Sequence, residues 1–486
     1  MKIVDAKALI ENLRRLPRET EWVEFKLNRF NEEDVAQYVS GLANSAILKG
    51  EARAFLLFGI EDQTHEIAGT DVRLKEKKVG NEPFENWLNR CIEPRLNLEF
   101  VSVDFDGKIV ELIAIDPAYQ QPVRFKKLAY IRIDTSLQPL HEYAEKERAL
   151  WLATSSFAFE QGIAGHHLTG EEIFELTDPL QFLEMLGHQR MSKASAVEML
   201  VARELLIDNM QGRWDVTNLF ALLAAKRLTD FPSVANKAPR VIEYKKTKKL
   251  EAVGDVTGNL GYALGFKKLL TYIMSRMPHE EIMVMGVRRN KYPIPEIAVR
   301  EIAANALIHQ DFTKLGQPTI EVFKDKLVIT NPGAPLVDPK RFIDTPSKSR
   351  NEKLSALMRS LGLCEQRGSG VDRALDAIEQ EALPAPFFRE VEGSMVVTIY
   401  RPGSFAEMSR EARIRACYQH CCLRFEANEY MSNASLRSRL GLPSTQYPQA
   451  SQVIRDTIDE GLVRPVDEDQ GNRNARYIPF YAVGSV

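Results

Sequence analysis

The stretch Glu301–Phe312, EIAANALIHQDF, decides how this chain is read. It sits in a predicted helix over 296–309. Glu301 and Asn305 are four residues apart, so both project from one face, with His309 a further turn along. A carboxylate and an amide so placed suit a hydrated divalent cation: the amide oxygen ligates Mg²⁺ while the carboxylate orients a water. Alone, such a pair is commonplace on helix surfaces. Its weight comes from the segments C-terminal to it.

Working outward, two strands are predicted at Thr319–Phe323 and Lys326–Thr330, on either side of a Lys324-Asp325 hairpin tip. Asn331-Pro332-Gly333 then breaks the pattern. A helix over Lys353–Leu361 precedes Arg367-Gly368-Ser369-Gly370, which opens another helix, Val371–Glu381, and a strand over Met395–Tyr400 closes the unit. Glycines before a helix let backbone N–H groups approach a phosphate at the helix N-terminus, although a plain helix-entry turn looks the same. The ordered series E-x₃-N, N-P-G and G-S-G is more specific than any one of its parts.

EIAANALIHQDF, ITNPG and RNEKLSALMRSLGLCEQRGSGVDRAL together resemble the C-terminal ATP-binding module of "RecG-like" AlbA_2 proteins, a divergent branch of the GHKL ATPases, over about 291–402. The resemblance implies an ATP–Mg²⁺ site with Glu301 as general base and Asn305 as metal ligand. His309 and Asp311 would lie nearby, and Gly368, Ser369 and Gly370 would form a phosphate lid. GHKL proteins contact adenine through an Asp in their first glycine box. Here the comparable turn, ending at Gly333, offers Asn331, whose amide can still accept from the adenine amino group.

The N-terminal third alternates helix and strand. Glu19, Glu24 and Lys26 lie in ETEWVEFK, with Glu24 and Lys26 on one face of a strand, and Asp62 follows the buried strand AFLLFGI. Acids converging near a Lys suit a metal-dependent phosphodiesterase, and equally an ordinary ion pair on a strand. E-x₄-E-F-K with VSGLANSAILKGEARAFLLFGIEDQTHEIAG resembles the Schlafen-type AlbA_2 domain over about 13–140. Some Schlafen proteins are metal-dependent nucleases. The resemblance matches their acidic triad to Glu19, Glu24 and Asp62, which would hold Mg²⁺ or Mn²⁺. Many bacterial members are known only as nucleic-acid binders. A Gly-Gly usual after Ala43-Asn44-Ser45 is replaced by the longer Ala46–Gly50, a change expected to alter a loop.

Residues 165–235 read as a helical, winged-helix-like spacer, and 408–486 as helix, helix, helix and a strand pair, the order of a winged helix. Its third helix carries Arg455, with Arg473 and Arg476 on the wing. Asp456, Asp459 and Glu460 beside them repel phosphate, so protein contact suits this helix as well as DNA does. Cys417, His420, Cys421 and Cys422 crowd one predicted helix without a second ligand pair, as buried thiols would. His166 and His167 read as solvated, and Lys245–Lys249 as a charged strand edge. The fold expected is therefore α+β and multidomain: an AlbA_2/Schlafen-like domain (1–150), the spacer (165–235), a GHKL-type α/β sandwich (240–402) and a C-terminal winged helix (408–486).

Length and composition bound the rest. The 486 residues are 44% apolar and 27% charged, an ordinary globular balance that excludes a disordered chain. Lys+Arg total 64 against 67 Asp+Glu, so nucleic-acid binding would need a local basic face. Five cysteines are too few for a disulfide scaffold. No signal peptide or spanning segment is read, and a cytoplasmic location is expected. The absence of G-x₄-G-K-[ST] gives no support to helicase activity. Two functions are expected of this layout: an ATP-regulated, metal-dependent Schlafen-like nuclease, or an ATP-responsive DNA-binding regulator that does not cleave. An ATP-binding scaffold in defence or stress is a third. The GHKL resemblance adds a homo-oligomer.

Overall fold

The structure, a computed structural model, describes residues 3–16, 20–51, 53–118, 121–155, 159–209, 212–284, 287–346, 348–365, 369–467, 471 and 475–482. The chain divides into two compact units. One comprises Met1–Gln161, His166–Thr169 and Leu206–Asp215, and the other Gly162–Gly165, Gly170–Leu205 and Val216–Val486.

In the first unit, helix α1 (Ile3–Arg14) precedes β1 (Val23–Lys26), α2 (Glu32–Lys49), β2 (Ala54–Phe58), β3 (Leu98–Phe105), β4 (Lys108–Ile115) and β5 (Leu128–Ile133). Four strands form a sheet in the order β1-β2-β4-β3, with β1 parallel to β2 and Glu24 opposite Leu56. Strand β2 is buried along its whole length because both sheet faces are covered. Leu56 and Phe58 join the core under α2, while Phe55 and Leu57 join the core with α1.

Helix α2 starts where Asn31 accepts the N–H groups of Glu33 and Asp34, both at 3.0 Å, and stops at Gly50, whose φ of 72° is left-handed. The Ala46–Lys49 segment expected to reshape a loop instead extends this helix. Asn44 Nδ2 donates to the carbonyls of Val123 (2.9 Å) and Tyr130 (2.8 Å), and Ser45 Oγ accepts from the Arg132 N–H at 2.9 Å. These buried polar residues satisfy backbone groups of 123–132 and so fix where β5 lies.

The second unit contains a six-stranded mixed sheet. Its strands are β6 (Arg240–Tyr244), β7 (Ala252–Thr257), β8 (Thr319–Val322), β9 (Lys326–Pro332), β10 (Phe387–Val391) and β11 (Ser394–Tyr400), in the order β7-β6-β8-β9-β11-β10. Helices α3 (Tyr262–Ser275), α4 (Glu296–Ile308), α5 (Glu352–Ser360) and α6 (Gly370–Gln380) belong to the same module. The lysines 245–249 come after the end of β6 and form a turn, with β7 as the outer strand. Strand β10 was not expected from sequence.

Three helices, α7 (Arg410–Glu426), α8 (Asn433–Arg439) and α9 (Tyr447–Asp459), precede a two-stranded ribbon of 463–465 and 477–479. Cys417, Cys421 and Cys422 are fully buried in their core. This module is pinned to α6. Glu379 forms an ion pair with Arg439, Nε at 3.2 Å, and pairs with His420 Nδ1 at 2.6 Å, and Arg439 Nη2 donates to the Leu383 carbonyl at 2.8 Å. Among the described residues no helix is long and apolar enough to cross a membrane.

Candidate functional site

Helix α4 lies between α3 and α6 against β9. Its face toward the sheet end carries Glu301 and Asn305, and both line a cavity whose enclosed space is about 160 Å³. Asn331 and Gly333 enter from the end of β9, Gly370 from the start of α6, and Arg350 and Arg359 from the segment around α5. That space is below the roughly 300 Å³ at which ligand pockets begin, so its deep part fits one ring system and anything larger extends outward.

Glu301 is 1% exposed. Its Oε1 accepts from the Arg300 guanidinium, through Nε at 3.1 Å and also through Nη2, and its Oε2 accepts from the Glu365 N–H at 3.1 Å. The carboxylate is thus held in one orientation beside the first residue of α6. An added Cβ on Gly370 would stand 2.9 Å from Glu301 Oε2, so only glycine permits that approach. Asn305, one turn on, is half-buried, and its side-chain amide makes no hydrogen bond among the described residues.

Gly333 has a φ of 133°, and a Cβ there would fall 2.6 Å from Arg350 Nη1. The N-P-G break is therefore where the end of β9 meets the arginine and the turn after α4: the Asp311 N–H donates to the Pro332 carbonyl at 2.7 Å. Asn331 Nδ2 donates to the His309 carbonyl at 3.3 Å, which leaves its Oδ1 as an acceptor. Arg350 Nη2 donates to the Ala334 carbonyl at 3.3 Å, while Nη1 is buried without a partner among the described residues. Burial, together with Arg350 and Arg359, pushes the His309 imidazole down to about 4, so it is neutral at physiological pH.

Two expected residues stand apart from the cavity. Asp311 turns to its own loop, accepting from Thr313 N–H at 3.2 Å and from its hydroxyl at 2.5 Å, which holds its carboxyl below the usual range. Ser369 precedes α6 without capping it and does not line the cavity. Gly368 lies outside the described residues. Arg350, Arg359 and Asn351 were missed by sequence reasoning. Asn351 Nδ2 donates to the carbonyls of Ile308 (2.7 Å) and Gln310 (2.8 Å), closing the C-terminus of α4. The signal was present as S-R-N ahead of a helix.

At the N-terminal site the structure differs from a converging acid cluster. Glu24 is 2% exposed, and each of its oxygens is already taken, one by Arg132 and the other by Lys26. Lys26 Nζ also donates to Tyr38 Oη at 3.1 Å. Arg132, on β5, is 1% exposed and has no counterpart in the sequence reading. Asp62 is exposed on the turn after β2. Glu19 lies outside the described residues, as does Arg473 of the wing. Among the described residues, no group of three or more His, Cys, Asp or Glu side chains is placed to hold a metal.

His166 and His167, expected to be solvated, are engaged within the first unit. Arg53 Nη2 and Nη1 lie 3.2 and 3.1 Å from their ring nitrogens, and the His167 N–H donates to Asp215 at 2.7 Å.

Comparison with known proteins agrees with both resemblances. Residues 19–141 match the family "Schlafen, AlbA_2", and residues 316–399 match "Putative ATP-dependent DNA helicase recG C-terminal". The chain thus joins a Schlafen AlbA_2 domain to a recG-type C-terminal, ATPase-like domain. The second match takes in Asn331, Gly333, Arg350 and Gly370 but begins after Glu301 and Asn305. No curated protein matches the chain. The DIP2311 protein from Corynebacterium diphtheriae is similar at 18% identity over 93% of each chain, with a TM-score of 0.40. The N-terminal domain of a putative ATP-dependent DNA helicase RecG-related protein from Nitrosomonas europaea is also 18% identical, covering 28% of this chain and 93% of that chain with a TM-score of 0.19.

Proposed function

We propose that this protein binds ATP–Mg²⁺ in the cavity of its 240–402 module and acts on nucleic acid as a nucleotide-responsive binder. The observation that carries the reading is the convergence on one cavity of a fixed carboxylate, an amide without a hydrogen-bond partner and a buried arginine Nη1 without one, all among the described residues. That donor set fits a magnesium-bound polyphosphate: Asn305 offers the metal ligand, and Arg350 with Arg359 offers positive charge to phosphate. Asn331 presents its Oδ1 to the adenine amino group, and the neutral His309 adds no charge. Glu301 retains unfilled lone pairs with which to orient a water, and the bound nucleotide supplies the phosphoanhydride that such a water would attack.

The GHKL-type sandwich, the terminal winged helix, the homo-oligomer and the cytoplasmic setting belong to this reading as proposals. For the N-terminal domain, the ion pairs of Glu24 with Arg132 and Lys26, one on each oxygen, favour binding over metal-dependent cleavage, because a metal would have to compete with two cations. A nuclease acting through Glu19, Glu24 and Asp62 is the second reading, and it requires Glu24 to exchange a cation for a metal.

Calorimetric titration of ATP into the full chain with Mg²⁺, beside Asn305→Ala, tests the first reading. Saturable binding that weakens at least ~10-fold in the variant is expected, as removal of a metal ligand does. Wild-type protein that binds no nucleotide would overturn it. Incubation of labelled RNA and DNA with Mg²⁺ or Mn²⁺ separates the two N-terminal readings, and metal-dependent cleavage by the wild type but not by Asp62→Ala would establish the nuclease.

A further inference from the structure

Adjoining the nucleotide cavity, with which it shares Phe342, Val371 and Phe388, the second unit carries a larger hollow of about 1250 Å³ where the C-terminal helices meet the sheet, and beside it a groove of about 470 Å³ over the outer strands. The two share Phe387 and Tyr400 as lining residues, so they run on from one another. Phe387, on the edge strand β10, is 37% exposed. The Arg415 guanidinium lies 4.8 Å from its ring centroid and 5.7 Å from that of Tyr400, and Arg389 lies 5.7 Å from Phe387. Arginines and aromatic rings therefore alternate along the wall.

Among the described residues Arg389, Arg401 and Arg415 form no ion pair, and Arg401 Nε is buried without a partner. Arg415 spends only its Nε, on the Ala385 carbonyl at 3.1 Å. Burial pushes both Arg401 and Arg415 below the ordinary arginine range, outweighing the opposing charge of Asp325 near the first and of Glu411 near the second. Lys326 rests over Phe323 at 5.1 Å, its charge unpaired among the described residues. The acids on the same walls are mostly committed elsewhere: Glu321 to Lys249 at 2.6 Å, Glu460 to Arg410 at 3.0 Å, and Glu407 to the Ser404 N–H at 2.7 Å. Asp325 remains.

A desolvated arginine without a carboxylate is costly unless an anion completes it. The spacing of several such groups along an open groove fits a repeating anion better than a single one. Aromatic rings and guanidinium planes between the charges are stacking surfaces for bases, and bases are exposed for stacking only in a single strand.

We propose that this groove is a path for single-stranded nucleic acid, its phosphates met by Lys326, Arg389 and Arg401 and its bases stacked at Phe387, Arg415 and Tyr400. The proposal rests on the nucleic-acid reading above and names where in the chain the strand lies. It places the strand on the module that holds the nucleotide, with Phe388, next to Phe387, lining the ATP cavity.

Anisotropy of short fluorescein-labelled oligo-dT and oligo-U, and of a duplex, measured with the full chain across a salt series, tests it. Phe387→Ala is expected to weaken single-strand binding roughly 10-fold or more, as removal of one stacking platform does. Arg389→Ala with Lys326→Ala is expected to weaken it and to flatten the salt slope by about 0.7 for each phosphate no longer neutralised. Both sites are on strands with solvent access, and unchanged circular dichroism and ATP affinity verify the fold. If wild type binds nucleic acid and these variants bind equally well, the groove is not the path, while the nucleic-acid reading stands. If wild type binds no nucleic acid, both fall. If mononucleotides compete as well as the oligomers, the groove is a small-anion site and the single-strand proposal is overturned.

Discussion

The Cβ position of Gly370 falls 2.9 Å from Oε2 of Glu301. Two helices distant in sequence thus touch at a glycine and a carboxylate, and the same carboxylate is fixed by Arg300 and by the Glu365 N–H. Because α6 carries Gly370 at its start and Glu379 near its end, one rigid helix reaches from the cavity to the His420 and Arg439 side chains of the C-terminal helices.

Gly370→Ala must move either the carboxylate or the start of α6. A loss of about 1–3 kcal/mol is expected, with weaker ATP binding in the same variant. Chemical denaturation and nucleotide titration measure the two; an unchanged midpoint and affinity would show that the helices yield without cost.

Asn351→Ala removes two hydrogen bonds to carbonyls at the C-terminal end of α4 in a buried place. A destabilisation of about 2–3 kcal/mol is expected from leaving buried acceptors unmet. By contrast Asn305→Ala, which breaks no hydrogen bond among the described residues, should stay within about 0.5 kcal/mol of wild type. Urea denaturation of the pair checks the contrast.

The His309 pKa lies at about 4 in the folded chain, below its ordinary value of 6.5. Between those values the unfolded chain binds the proton and the folded chain does not. The stabilisation is therefore full above pH 6.5 and is lost as pH falls toward 4, to a maximum of about 3 kcal/mol. His309→Gln should flatten that part of the stability profile, which denaturation at a series of pH values would read.

Glu24→Ala leaves Arg132 buried without its carboxylate, at an expected cost of about 3–5 kcal/mol. Abolished cleavage in that variant would therefore reflect unfolding as readily as chemistry. Glu24→Leu with Arg132→Met should recover most of the stability, and thermal denaturation of single and double variants measures the coupling.

Much of this architecture was legible from local pattern. The run AFLLF announces a buried strand, whereas the last turn of α2, Ala46–Lys49, was expected as a loop and emerges only with its Gly50 cap in the structure. The face shared by Glu301 and Asn305 comes from helical spacing alone. The edge strands 252–257 and 387–391 were harder to read: their mostly exposed residues lack the apolar alternation that marks a half-buried strand.

By itself, then, the sequence determined most of the helices, most of the strands and which residues share a helix face, because those depend on periodicity a few residues either way; the helices 144–155 and 170–176 were not read from it. Tertiary structure decided who neutralises whom. Arg132 reaches Glu24 across 108 positions, and that single approach turns an acid read as a metal ligand into half of a buried ion pair. Arg350 meets Gly333 only because β9, the turn after α4 and the loop before α5 end at one point. Charge pairing across such distances is set by how whole elements pack, and no local spacing encodes it.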